Sequence, residues 1–227
     1  MVHELKPARL PGLRRLPALT TRSVSDDVVL FESWGGKYSD SPLAIAEELL
    51  RRGEAFRHVW VSSGDQGEMP AGATVVRHGS WAHLNALSKA RYIVANNTLP
   101  GYFRKSRGTT YLQTWHGTPL KRIAFDIANP QFADGQRHLK ELRREVPEWD
   151  FLISPNRFST EVLRRAFRYE GRIVTSGYPR NDPLSLPGRP RLATPSVPGW
   201  AYPRGLAPCC TPPPGATHRR PSLSSSI

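Results

Sequence analysis

The sequence predicts a doubly wound α/β domain, a parallel sheet with helices on both faces, and two observations carry that prediction. Its apolar runs are short, rich in Val, Ile, Leu and Phe, and apolar throughout rather than alternating with polar residues. Helix-length segments separate most of them. A strand buried on both faces needs apolar side chains in both directions, and a parallel neighbour is reached only through a crossover, usually a helix.

Taken in order, Val28, Val29, Leu30 and Phe31 form the first run. Gly35 and Gly36 end it, and residues 42–52 place Leu43, Ala46, Leu49 and Leu50 on one face of a helix. Residues 58–61 and 74–76 read as the next strands, and Ser80 as the N-cap of a helix carrying Leu84, Leu87 and Ala90. Residues 91–95 and 110–114 resume strand character. Thr118 and Pro119 then read as the N-cap and first-turn proline of another helix. A charged, mostly exposed helix over 130–144, a strand at 150–153, a helix over 157–169 and a strand at 172–175 complete the alternation.

Composition bounds what surrounds this domain. The chain has 227 residues and a formal charge of +13, but residues 1–25 carry +4 and residues 183–227 carry +5, leaving +4 for residues 26–182. Residues 1–25 read as a basic, proline-containing segment. The last 45 residues hold 11 of the 22 prolines and no acid, so they read as a disordered tail, and the abrupt shift to Pro, Arg and Ser fits a changed reading frame in a GC-rich gene. No motif of a nucleic-acid binder accompanies the charge, so nucleic acid is not expected as a partner. Adjacent Cys209 and Cys210 exclude a disulfide scaffold and a thiolate zinc site, and point to an intracellular chain. No apolar run reaches the length of a membrane span. His3, His58, His78, His83, His138 and His218 show no metal-ligand spacing, so no metal is expected.

In such a sheet ligands bind beyond the carboxyl ends of the strands. His116 stands at one of these ends, before Gly117, Thr118 and Pro119, with Lys121 and Arg122 following. Two readings fit: an imidazole beside helix N–H groups that attract an anion, or a capping motif with His116 packed on Trp115. Gly35, Gly36 and Lys37 could form a phosphate or acceptor loop, although the spacing is neither that of a dinucleotide site nor of a Walker A loop. Asp40 reads first as part of a helix start, as does Asn156. Asn96 and Asn97 either satisfy backbone at a strand end or bind a hydroxylated ligand, and Arg180 is a candidate anion contact in a turn.

Four blocks carry a further signal: residues 31–40 (FESWGGKYSD), 111–121 (YLQTWHGTPLK), 153–156 (ISPN) and 177–182 (GYPRND). Together they resemble the CDP-glycerol glycerophosphotransferases, the teichoic acid polymerases and primases. The resemblance implies the N-terminal half of a GT-B enzyme, two Rossmann-like domains facing a cleft, with residues 26–182 as the first domain. It implies CDP-glycerol as donor, with no separate cofactor, a lipid-linked polyglycerolphosphate or related teichoic acid as acceptor, and work at the inner face of the cell membrane against anionic lipid. By this match His116 is the general base, and Gly35, Gly36, Lys37, Asp40, Gly117, Thr118, Lys121 and Arg180 are the candidate substrate contacts. Nothing after Asp182 resembles the family's second domain, so the chain is expected to turn over donor poorly alone. The alternative is a non-catalytic remnant that binds acceptor or partner.

Overall fold

The apolar runs become the strands of a single sheet. The computed structural model describes residues 23–64, 72–128 and 134–184. The chain divides into two units, Met1–Pro187 and Gly188–Ile227, and the described residues belong to the first. The expectations for residues 1–22 and for the tail beyond Leu184 lie outside the described residues.

In chain order the elements are β1 (Ser25–Glu32), α1 (Asp40–Arg51), β2 (Arg57–Ser62), β3 (Thr74–Arg77), α2 (Trp81–Lys89), β4 (Ala90–Ala95), β5 (Thr110–Gln113), α3 (Gly135–Glu145), β6 (Phe151–Ser154), α4 (Arg157–Phe167) and β7 (Arg172–Thr175). They form a sheet of order β3-β2-β1-β4-β5-β6-β7 in which every adjacent pair is parallel. This is the doubly wound architecture that the sequence predicts. The order reverses between β1 and β4, so the crevice for a ligand opens where Glu32 and Ala95 end.

Alternate residues of each strand serve opposite faces. On one face Leu30, Val61, Ile93, Tyr111 and Leu152 pack under Leu87, Leu142 and Leu163, contributed by α2, α3 and α4. On the other, Val29, Phe31, Trp60 and Val94 pack with Ala46 of α1, and the Phe31 and Trp60 rings stack 4.9 Å apart. Each fully buried side chain of this kind stabilises by about 1.5–3 kcal/mol. Beside α1 the second face holds an apolar groove of about 440 Å³ lined by Leu49, Phe56, Tyr92, Leu112, Phe151 and Val174.

The helix ends follow local chemistry. Ser80 accepts a hydrogen bond from the His83 N–H at 3.2 Å, and Asn156 from the Ser159 N–H at 2.8 Å. Ser80→Ala is expected to cost about 1 kcal/mol of unfolding free energy, measured by urea denaturation. Ala90 opens β4 rather than continuing α2. The helix expected at Thr118 and Pro119 does not form. The Thr118 hydroxyl lies 3.2 Å from the Tyr178 hydroxyl instead of capping, and the Thr118 carbonyl accepts from the Leu120 N–H at 2.9 Å, a tight turn. The next element is only a 3₁₀ turn, Ala124–Asp126. Among the described residues no helix is long and apolar enough to cross a membrane.

Candidate active site

The site is assembled from the ends of β1, β4 and β5 and from the 3₁₀ turn Pro179–Leu184. The loop after β1 turns sharply: the Ser33 carbonyl accepts from the N–H groups of Gly36 and Lys37, and the Gly36 carbonyl accepts from Ser63 at 3.0 Å. Gly36 has φ +114, and a Cβ there would lie 2.5 Å from the Ser63 nitrogen, so its backbone runs directly against the end of β2. Asn96, fully buried at the end of β4, straps this loop by accepting from the Trp34 N–H and donating to the Ser33 hydroxyl, each at 3.0 Å. That settles Asn96 as a strand-end partner.

His116 lies between two indoles. Its ring stacks on Trp115 with centroids 4.0 Å apart and meets Trp34 at 4.6 Å. Burial pulls its pKa down to about 4; Asp40 opposes the shift, while Arg180 and His138 add to it. The imidazole is therefore uncharged near neutral pH and able to accept a proton.

Arg180 fastens the surroundings. Its Nη1 donates to both Asp40 carboxylate oxygens, at 2.9 and 3.0 Å, and to the His116 carbonyl at 2.9 Å, while its guanidinium lies 4.6 Å from the Tyr178 ring centre. Asp40 also accepts from the Trp34 indole N–H at 3.1 Å and from the Ser41 N–H at 2.6 Å. Burial pushes the Asp40 carboxyl up, but these donors outweigh it and hold the group below its ordinary value. Trp34, Asp40 and Trp115 all have left-handed backbone, with φ of +49°, +63° and +53°. For non-glycine residues this costs on the order of 1 kcal/mol or more each, and strain of this kind gathers at functional sites.

The clasp has a pH signature. The Asp40 side chain is 9% exposed and that of Arg180 31%. Arg180→Ala is expected to cost about 1.5–3 kcal/mol at pH 7, as for other hydrogen bonds to charged groups. Because the folded-state pKa of Asp40 lies below its unfolded value of about 3.9, the stability it contributes is present above that pH and lost as pH falls through the folded value. Denaturation series should show the gap between variant and wild type narrowing below pH 4; a gap that stays constant would count against the clasp.

The structure thus brings His116, Asp40 and Arg180 together, with Thr118 tied to Tyr178 close by. Gly35, at φ +66°, and Gly36 shape the loop, Gly117 is half-buried, and Lys37, Lys121 and Arg122 are exposed. Sequence reasoning did not single out Trp34, whose indole both meets His116 and bonds Asp40, nor Gln113. It also did not connect Glu32 with His78 and His83. His83 Nδ1 accepts from the Gly79 N–H at 3.2 Å, so its Nε2 carries the proton toward Glu32, 3.1 Å away, and His78 Nε2 lies 3.4 Å from the other carboxylate oxygen. Burial raises the Glu32 carboxyl, yet the two imidazoles bring it below its ordinary value.

His116 thus stands at the carboxyl edge of a doubly wound sheet, with Arg180 of the Asp–Arg clasp on its carbonyl. The chain belongs to the CDP-glycerol:poly(glycerophosphate) glycerophosphotransferase family, whose profile matches residues 16–188. It is 41% identical over 167 residues to a teichoic acid poly(glycerol phosphate) polymerase of Staphylococcus epidermidis, covering 71% of this chain and 23% of that protein. A teichoic acid glycerol-phosphate transferase of Staphylococcus aureus is 37% identical over 177 residues, covering 74% and 44%. The solved structure of the wall teichoic acid polymerase TagF matches with a TM-score of 0.67 at 39% identity, covering 71% of this chain and 41% of that one. A His-to-Asn variant of TagF soaked with CDPG matches with a TM-score of 0.66 at 40% identity. The chain therefore spans less than half the length of these relatives.

Proposed function

We propose that this chain carries the proton-accepting half of a glycerophosphotransferase site. An acceptor hydroxyl of a teichoic-acid-type polymer attacks the β-phosphorus of CDP-glycerol. A bond forms from that phosphorus to the acceptor oxygen, its bond to the bridging oxygen breaks, CMP leaves with the electron pair, and His116 takes the hydroxyl proton. The observation that carries this reading is the uncharged His116 ring, fixed between Trp34 and Trp115 at the end of β5. A diphosphate brought against that ring raises its pKa toward the ~6.5 of a free imidazole and makes it a stronger base as substrate arrives. Phosphoryl transfer depends mainly on positioning and charge stabilisation. In this proposal Gly117 and Thr118 line the acceptor, exposed Lys37 and Lys121 attract its phosphates, and the donor is gripped by a second Rossmann-like domain in a GT-B arrangement. Asp40 and Arg180 hold His116 in place through bonds to each other and to its carbonyl. Residues 1–25, with five basic side chains against Glu4, supply peripheral attachment to anionic lipid at the inner membrane face.

The test is CMP release from CDP-glycerol with a polyglycerolphosphate acceptor. The 227-residue chain is expected to release CMP far more slowly than a full-length relative, and only with His116 intact. Sustained turnover by the chain would remove the need for a second domain, and release that survives His116→Ala would overturn the base. A second reading draws on the exposed Lys37, Lys121 and Arg122 beside the site. Polymer binding that His116→Ala leaves unchanged, with no CMP release at all, would favour a binding module.

A further inference from the structure

Gln113 ends β5 on the covered side of the sheet and is 1% exposed. A primary amide in that position is unfavourable unless its polar atoms are paired, and here each is used. Gln113 Oε1 accepts from the Trp115 N–H at 2.9 Å, while Nε2 donates to the Asn97 carbonyl and to the Tyr111 hydroxyl, each at 3.3 Å. Tyr111, two residues earlier on the same face, donates its hydroxyl proton to Glu145 Oε1 at 2.8 Å. Glu145 is 2% exposed and accepts also from the Leu99 N–H at 2.9 Å and the Trp149 indole at 3.4 Å. The chain of bonds therefore runs from the end of α3, beneath the sheet's carboxyl edge, to the backbone nitrogen just before His116.

That nitrogen belongs to a left-handed residue. Trp115 has φ +53°, a conformation its side chain disfavours, and the turn places its indole against Phe167 on one side and the His116 ring on the other. Backbone held against its preference persists only where the surroundings over-determine it. Three anchors hold the turn: Gln113 on the Trp115 N–H, the Thr114 hydroxyl donating to the Trp115 carbonyl at 3.2 Å, and Arg180 on the His116 carbonyl. We propose that Gln113, locked by Tyr111 and Glu145, is a positioning residue that sets the Trp115 turn and with it the half-buried placement of the His116 ring. The inference takes its interest from His116 acting as the base, but concerns a property of the ring that is measurable without any substrate.

The experiment is an NMR titration of the ¹³C-labelled histidines in the full 227-residue chain between pH 8 and pH 5. Three charged or titratable groups act on His116: Asp40 and Arg180 from the clasp and His138 from α3. None is altered in the variants. In the wild type the His116 signal should keep its neutral-ring position down to pH 5. In Gln113→Leu, which keeps bulk and loses all three bonds, the ring should become more accessible and titrate inside this window. Tyr111→Phe removes only the hydroxyl between Gln113 and Glu145, so it should give a smaller shift in the same direction and serves if Gln113→Leu does not fold. Val59→Ala lowers stability in the core on β2, separated from β5 by β1 and β4, and should leave His116 neutral. A folded Gln113→Leu or Tyr111→Phe whose His116 still shows no titration above pH 5 overturns the proposal, as does Val59→Ala producing the same shift. CMP release that Gln113→Leu leaves at the wild-type rate despite the shift counts against His116 as the base and leaves the positioning role standing.

Discussion

His116→Ala is expected to lower CMP release by about 10²–10⁴-fold, the usual contribution of a positioned general base. The loss should appear in kcat rather than in acceptor binding, because the imidazole takes the proton only as the phosphorus–oxygen bond forms. His116→Gln gives the sharper comparison, since it keeps bulk between Trp34 and Trp115 while removing a group able to accept and pass on a proton. If His116→Gln matches the wild-type rate, the ring is packing and not a base. The pH dependence carries its own sign. With its pKa pulled down to about 4 by burial, His116 resists protonation in the folded state. The native state is therefore at full advantage above the unfolded imidazole value of about 6.5 and loses stability as pH falls from there toward 4. His116→Ala should remove that acid-side loss, so wild type and variant should diverge in denaturation midpoint between pH 6.5 and pH 4, with the variant less acid-sensitive. Rate and stability thus read the same ring independently.

How much of this was legible in the sequence depends on the range of the forces involved. Strands β2 to β7 fall within a residue or two of the apolar runs, because burial on both faces writes itself directly into consecutive side chains. β1 begins at Ser25, three residues before its apolar run; Asp26 and Asp27 are exposed, and strand pairing through backbone leaves no apolar mark. Thr118 and Pro119 had the composition of a helix start, but the hydroxyl that would have capped it pairs with Tyr178, 60 residues away. Local propensity lost to a tertiary partner. The same distance hides the clasp: Asp40 and Arg180 are 140 residues apart and meet only once the sheet is wound. Nothing near His83 in the sequence marks its burial against Glu32, and Gln113 lies within a predicted strand with no sign that its amide bonds all turn inward. The proposed base, His116, was singled out through its block of neighbours. What holds the base in place was not.

Gly36→Ala is expected to be the most destabilising small substitution near the site, and the neighbouring glycine supplies its control. At Gly36 the added methyl would sit 2.5 Å from the Ser63 nitrogen and 2.8 Å from the Ser62 carbonyl carbon, both backbone atoms of the β2 end, at φ +114°. Backbone cannot swing aside as a flexible side chain does, so the loop or the end of β2 must move. Overpacking costs about 1–3 kcal/mol and a disallowed φ a further 1–3 kcal/mol, giving a loss of about 2–6 kcal/mol. Gly35 has φ +66° and open space around its Cβ position, so Gly35→Ala carries the left-handed penalty alone, about 1–2 kcal/mol. Urea denaturation of both variants separates the two contributions, and equal losses would mean that the close approach to Ser63 is not tight. The consequence extends to chemistry because the loop that Gly36 docks carries Trp34 on one side and Asp40 on the other. Moving it withdraws the indole from the His116 ring and slackens the clasp on the His116 carbonyl, so Gly36→Ala should shift the His116 titration upward as well as lowering stability, whereas Gly35→Ala should leave that titration in place.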